Sequence, residues 1–402
     1  MGGGARHRAI KPPEIGIPWQ ASAEPEHPAR HRGTPLVATP ASTSSPIMVP
    51  AAMPIGIRRI YTSAMAKPRT PRRQPVIAHV AQRASRNGAP PPRPADATPR
   101  STRVLDALLR RLPDPWRGTV HDYLVLVRMD RPIGALLLLW PTWWALWLAA
   151  DGMPPVGLFV IFTVGVFLMR SAGCAINDYA DRKLDPQVAR TAGRPIACGR
   201  IAPRAALRVF VVLLALAFLL VLLTNRATIE LSFAGAALAA LYPFSKRYTS
   251  LPQVVLGAAF GWSIPMAFAA VQGHVPALGW LLFLANVLWS TIYDTEYAMV
   301  DRDDDITAGA RSTAILFGDA DLPILGVLIA SLLLTLLLVG ARAHLRWPWY
   351  VAMALALGQF AWQLWMMRTR APAQCLRAFR QNNWLGLTLW AGLVLALLLP
   401  HP

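Results

Sequence analysis

Beyond about residue 130 the chain alternates between long apolar runs and short polar connections. Nine runs can be drawn, at 132–150, 154–176, 204–224, 227–244, 253–271, 276–294, 322–340, 347–367 and 382–399. A run of about 20 residues is what carries an α-helix across a hydrocarbon layer roughly 30 Å thick. The pattern therefore predicts an all-α, polytopic membrane protein. The expected arrangement is a nine-transmembrane-helix bundle over 131–402, with a central cavity open toward the cytoplasmic side and a cytoplasmic pre-helix segment over 101–130. Pro141, Pro265 and Pro348 lie in or at the edge of these runs, where each is expected to kink or end a helix.

Composition sharpens the division. The 402 residues are 54% hydrophobic and 15% charged. Half of the 36 prolines fall before residue 101, and so do 15 of the 40 basic residues but only 4 of the 21 acidic ones. That Pro/Arg-rich stretch, 1–100, lacks the apolar density that offsets chain entropy, and it is expected to be a disordered N-terminal extension. No apolar core of a secretory signal interrupts it. A transit peptide, an anionic-lipid tether and a nucleic-acid arm share such a composition. The plainer expectation is a solvated tail, or a leader translated upstream of a later start at Met48, Met53, Met65 or Met129, and no nucleic-acid partner is expected.

Charge in the connections gives an orientation. Lys and Arg are retained on the cytoplasmic side. The connections after the second, fourth, sixth and eighth runs hold fourteen of them, counting Arg204 at the edge of the third run and including Arg194, Lys246, Arg247, Arg302, Arg311, Arg370 and Arg380; the alternate connections hold only Arg226, Arg342 and Arg346. The basic N-terminal region falls on the richer side. An odd number of spans then puts the N-terminus in the cytoplasm and the C-terminus outside.

Candidate chemistry lies at two acidic helix ends on that side. NDYADRKLD (177–185) leaves the second run, and Asn177, Asp181 and Asp185 recur every four residues, sharing a face if the helix continues, with Asp178 about 100° away. DTEYAMVDRDDD (294–305) leaves the sixth run, and Asp294, Tyr297, Asp301 and Asp305 again share roughly one face. One acidic turn at a membrane edge reads as a solvated face. Two of them on one side, in a region otherwise poor in acids, call for a cation. Cys174, Cys198 and Cys375 have no metal-ligand spacing and the histidines form no paired motif. Oxygen donors alone suit Mg²⁺, which takes one or two carboxylates and completes its shell with water and phosphate oxygens. A diphosphate bridged through Mg²⁺ is the expected occupant, with Asn177, Asp178, Asp181, Asp185, Asp294, Asp301 and Asp305 as candidate ligands. Arg170 lies seven residues before Asn177, inside a bilayer helix, where an arginine faces a polar interior. It is placed either in an ion pair with an aspartate or on the diphosphate. Arg194 in TAGRP and Lys246 and Arg247 in YPFSKRYT border the same face, and a guanidinium such as that of Arg247 can grip a carboxylate with two parallel hydrogen bonds.

Four blocks in order carry a resemblance: RPIGALLLLWPTWWALW (131–147), LMRSAGCAINDYADRKLD (168–185), YPFSKRYT to GAAFGWSIPMAFAA (242–270), and YDTEYAMVDRDDD with RSTAILFG (293–318). Over about 120–400 the chain resembles the UbiA superfamily of intramembrane aromatic prenyltransferases, most of all its bacterial members that act on 4-hydroxybenzoate. The resemblance implies Mg²⁺-dependent transfer of a polyprenyl chain from polyprenyl diphosphate to the ring carbon ortho to the hydroxyl of 4-hydroxybenzoate. It also implies a place in ubiquinone biosynthesis and residence in the lipid bilayer of the bacterial inner membrane. Under it the seven acidic-motif residues bind metal. Asp181, Asp185, Asp301, Asp305 and Arg247 are the expected catalytic set, with Asp301 or Asp305 as proton acceptor. Arg170, Arg194, Lys246, Arg247 and Tyr297 are the expected substrate contacts, Arg247 holding the acceptor carboxylate. Two rivals remain at this point: a member of the superfamily with another acceptor (homogentisate, a naphthoate, haem or a glycerol lipid), and a divalent-cation transporter, since acidic rings also select cations.

Overall fold

A computed structural model describes residues 109–110, 113–187, 191–245 and 247–399. The expected disordered extension and Lys246 lie outside the described residues. So do the expected beginning of the pre-helix segment and the last three residues.

Among the described residues thirteen α-helices and two short 3₁₀ turns form the chain, with no strand. Helix α1 (Asp114–Leu126) starts on Pro113 and Asp114 and ends in a turn at Arg128, whose φ of 60° is left-handed. The first two apolar runs become α2 (Ile133–Ala150) and α3 (Val156–Ala180), and the next two become α4 (Pro203–Val221) and α5 (Arg226–Ser245). The fifth run is broken into α6 (Pro252–Gly261) and α7 (Ser263–Gln272). Pro265 explains the break, because it has no N–H to offer Gly261 four residues back and its ring clashes with that carbonyl. Pro141 by contrast sits inside an uninterrupted α2, and Pro348 falls in the first turn of a later helix, where no donor is lost.

The second acidic motif spans a helix end. Helix α8 (Ala277–Ala298) carries Asp294 and Tyr297, and after a tight turn α9 (Arg302–Ala308) carries Asp305. A short α10 (Thr313–Phe317) leads to α11 (Asp321–Arg342), α12 (Trp347–Met367) and α13 (Pro372–Leu398). Helix α13 starts ten residues before the run drawn at 382–399. Its polar first half is tied to α8, where buried Asn382 accepts from Trp289 Nε1 (2.8 Å) and donates to Glu296 (2.8 Å).

The described residues contain seven helical segments long and apolar enough to cross a membrane, counting α6 with α7 and α10 with α11. The chain is a multi-pass membrane protein. Tryptophan and polar residues keep α12 and α13 outside that set of seven, although both match expected runs. Helices α4 and α5 bury only 17% and 11% of their apolar windows inside the protein, so lipid covers the rest. The core lies between α2, α8, α11, α12 and α13. Trp144 stacks on Trp289 (ring centroids 5.1 Å), and Gly386 of α13 leaves the room that Trp140 and Trp289 fill.

Candidate functional site: one cavity reached by both acidic motifs

A cavity of about 1520 Å³ lies among α2–α8 and α13. Its polar end takes Asn177 and Asp178 from the end of α3, Asp294 and Tyr297 from the end of α8, and Asp301 and Asp305 from the turn and α9. The two acidic motifs, more than a hundred residues apart in sequence, meet at one hollow. From there the lining turns apolar, with Leu214, Phe218 and Val221 of α4, Phe233 and Ala236 of α5 and Met266 of α7. Because α4 leads away from the polar end, Val211 to Val221 extend the apolar wall by about 15 Å at 1.5 Å per residue.

The first motif departs from the continuous helical face expected of it. Helix α3 ends at Ala180 and Asp181 caps it, its N–H bonding to Asn177 O (2.8 Å). The chain then turns into a 3₁₀ segment, Asp185–Gln187. Asp181 and Asp185 are buried but do not appear in the cavity wall. Asp185 instead meets Asp178 through an arginine. Arg194 Nη1 lies 3.0 Å from Asp178 Oδ1 and 3.0 Å from Asp185 Oδ2, so the carboxylates share one cation. Burial pushes the Asp185 carboxyl above its ordinary value, and Arg194 opposes that shift. Asp178, 1% exposed, is gripped from its other side by Arg128, whose Nη2 donates to both oxygens (2.9 and 3.1 Å). The second motif keeps its expected face across the helix break, because the turn is nearly helical: Asp305 N–H bonds to Asp301 O at 2.8 Å.

The basic residues divide. Arg194 and Arg170 line the cavity. Among the described residues Arg170 forms no ion pair or hydrogen bond; its Nε is buried without a partner and its guanidinium lies over the Phe260 ring, 5.6 Å from the centroid. A Cβ at Gly134 would come within 2.5 Å of Arg170 Nη2, so that glycine leaves space for the guanidinium. Arg247 is exposed and absent from the cavity wall. Its Nη2 donates to Ala180 O (2.8 Å), which places the side chain on the end of α3.

Sequence reasoning passed over Arg128, Arg311 and Arg380, which line the same cavity. The latter two were visible only as loop charges. Arg128 gave no signal, since its contact with Asp178 bridges fifty positions and depends on the left-handed turn after α1.

Among the described residues no three His, Cys, Asp or Glu side chains converge closely enough to hold an ion by themselves. That agrees with an ion completed by phosphate oxygens, because Mg²⁺ typically keeps one or two protein carboxylates. The donors at the polar end are all oxygens, and they fit Mg²⁺ in kind.

An all-helical membrane bundle whose cavity joins paired acidic motifs to a long apolar wall defines a class of intramembrane enzyme acting on amphipathic substrates. The model of the UbiA prenyltransferase family matches residues 138–395, and the chain belongs to that family. It is 58% identical over 281 residues to 4-hydroxybenzoate octaprenyltransferase of Xylella fastidiosa strain M23, covering 70% of this chain and 94% of that protein. It is equally similar to the enzyme of the same name from Xanthomonas euvesicatoria pv. vesicatoria strain 85-10, over 70% and 93%. Among solved structures, an apo UbiA homologue of Aeropyrum pernix K1 superposes with TM-score 0.58 at 24% identity, over 65% of this chain and 97% of that one. A UbiA homologue of Archaeoglobus fulgidus bound to GPP and Mg²⁺ gives 0.55 at 18%, over 68% and 99%.

Proposed function

We propose that this chain transfers a polyprenyl group from polyprenyl diphosphate to the carbon ortho to the hydroxyl of 4-hydroxybenzoate, as a Mg²⁺-dependent enzyme of ubiquinone biosynthesis. The observation that carries the reading is the single cavity with acids of both motifs at one end and an apolar wall beyond. The 58% identity to enzymes named for 4-hydroxybenzoate and an octaprenyl group supports the acceptor and the long chain.

Asn177 and Asp178 on one side and Asp294, Asp301 and Asp305 on the other would hold the ion. When bound, Mg²⁺ neutralises charge that develops on the departing diphosphate. Arg128 and Arg194 fix Asp178 and add positive charge beside the leaving group, where preplaced donors need no reorganisation. The allylic fragment becomes a cation as the C–O bond breaks. Tyr297 and Phe379, packed with ring centroids 4.7 Å apart, line the same hollow and offer π faces to it. Apolar helices keep water from quenching it. The ring carbon of the acceptor then forms the new bond, and Asp301 or Asp305 takes the displaced ring proton. The acceptor carboxylate is held by Arg170, whose guanidinium forms no ion pair among the described residues. This role passes to Arg170 from Arg247, which is bound to the end of α3. Asp181 and Asp185 act behind the cavity wall, the former closing α3 and the latter holding Arg194.

In the same reading the chain crosses the bacterial inner membrane nine times, with its N-terminus cytoplasmic, its C-terminus periplasmic and its cavity open toward the cytoplasm. A cation path is disfavoured because the carboxylates of the cavity wall gather at helix ends on one side, with none from α4 to α7 to continue an acidic route across the bilayer.

The test incubates membranes containing the protein with labelled 4-hydroxybenzoate, a polyprenyl diphosphate and Mg²⁺. Labelled extractable lipid, abolished by EDTA and restored by Mg²⁺, is expected. Label transfer from homogentisate or a naphthoate in its place would reassign the acceptor. Mg²⁺ flux without any prenylated aromatic would overturn the enzyme reading.

A further inference from the structure

Asp321, the first residue of α11, is fully buried and sits outside the cavity wall, yet it ties together two elements that build that wall. Its Oδ1 accepts from Arg370 Nη2 (2.9 Å) and from the backbone N–H of Leu322 (2.7 Å). Arg370 Nε reaches both oxygens, at 3.0 and 3.1 Å, and Arg302 Nη2 donates to Oδ2. Arg302 directly follows Asp301 and opens α9, which carries Asp305. Arg370, held in a left-handed conformation (φ 53°) and also donating to Asp319 O (2.9 Å), precedes α13, which brings Arg380 to the cavity. One carboxylate thus anchors the corner of the second acidic motif and the root of α13. A buried carboxylate between two guanidinium groups is costly to break, because loss of the centre leaves the outer charges without a partner.

We propose that Asp321 is a positioning residue for the diphosphate half of the site, setting Asp301 and Asp305 through Arg302 and Arg380 through Arg370. The inference rests on the reading of the cavity as a prenyl-diphosphate site. A clamp that served stability alone would alter how much protein folds and leave ligand affinity untouched. A positioning clamp alters affinity for the diphosphate and spares the acceptor, which binds on the α2–α3 side near Arg170.

The experiment compares the purified full chain with Asp321→Asn and Asp321→Glu by calorimetric titration with inorganic diphosphate in the presence of Mg²⁺, and measures KM for donor and acceptor separately. Gly340→Ala, a core variant at the opposite end of α11 whose methyl group would meet Trp349, serves as a control for simple destabilisation. Asp321→Asn should weaken Mg²⁺-dependent diphosphate binding roughly tenfold and raise the donor KM alike, with the acceptor KM unchanged. Asp321→Glu should recover part of the loss, and Gly340→Ala should bind diphosphate normally. Wild-type diphosphate affinity in folded Asp321→Asn would overturn the proposal and leave a stability clamp. Should Asp321→Asn fail to fold, Arg370→Gln is read in its place, since Arg302 still holds the carboxylate: weakened diphosphate binding supports the proposal and unchanged binding overturns it. Absence of Mg²⁺-dependent diphosphate binding by the unaltered protein would refute the site reading itself, before any variant is compared.

Discussion

Arg170 brings a positive charge into the cavity and forms no ion pair among the described residues, an arrangement that costs stability unless a ligand supplies the anion. If that anion is the acceptor carboxylate, Arg170→Ala removes a charged hydrogen-bonding partner worth about 1.5–3 kcal/mol, or tenfold and more in acceptor KM. Donor KM should move little, and Arg170→Lys should recover only part, since an ammonium cannot make two parallel bonds. Steady-state kinetics with each substrate varied in turn reads the split. Arg247→Ala, acting at the end of α3, should shift both KM values together. Gly134→Ala tests the same point from the other side. Its methyl group meets the guanidinium and not the backbone, so acceptor KM should rise while the thermal midpoint remains close to that of the unaltered protein. A fall in stability with normal acceptor KM would place Arg170 in packing instead.

At the scale of elements, the apolar runs were legible because a membrane helix must be apolar along its whole length. The first acidic motif was legible as chemistry and illegible as geometry. Spacing of four assumes a continuing helix, and α3 stops at Ala180, so Asp178 and Asp185 meet through Arg194 while Asp181 turns to capping. Arg128 and Asp321 gave no signal, and Arg302 and Arg370 counted only as loop charges, because their partners lie 19 to 50 positions away and only the folded chain brings them together. The Asp178 junction makes its own prediction. With two arginines bound to one carboxylate that is 1% exposed, Asp178→Ala leaves the buried Arg128 guanidinium without its carboxylate and Arg194 with Asp185 alone. Breaking such a junction costs about 3–5 kcal/mol. The variant should lose prenyl transfer and also unfold at clearly lower temperature in detergent. Asp294→Ala should likewise lose transfer. A melting temperature unchanged by Asp178→Ala would remove the structural half of the Asp178 role.

For the molecule as a whole, the open point of topology is whether α12 and α13 cross the membrane, since their composition keeps them out of the set of seven apolar spans. Seven spans and nine spans both leave the C-terminus on the side opposite the N-terminus, so a tag at the end of the chain cannot separate them. The link between α12 and α13 can. If both helices cross, residues 368–371 lie on the cytoplasmic side; if neither does, that link is periplasmic with the α11–α12 connection. The Asp321 junction favours crossing, because Arg370 binds the start of α11 beside Arg302, at the end of the bundle where both acidic motifs lie. Helix α11 leads away from that end, and α12 must lead back to it. Exposed positions make the test direct. With Cys198 replaced by serine, a membrane-impermeant maleimide added to intact cells should label His344→Cys in the α11–α12 connection and leave Thr369→Cys unlabelled until the membrane is opened. Labelling of both in intact cells would reduce the bundle to seven spans and leave α12 and α13 on the periplasmic face.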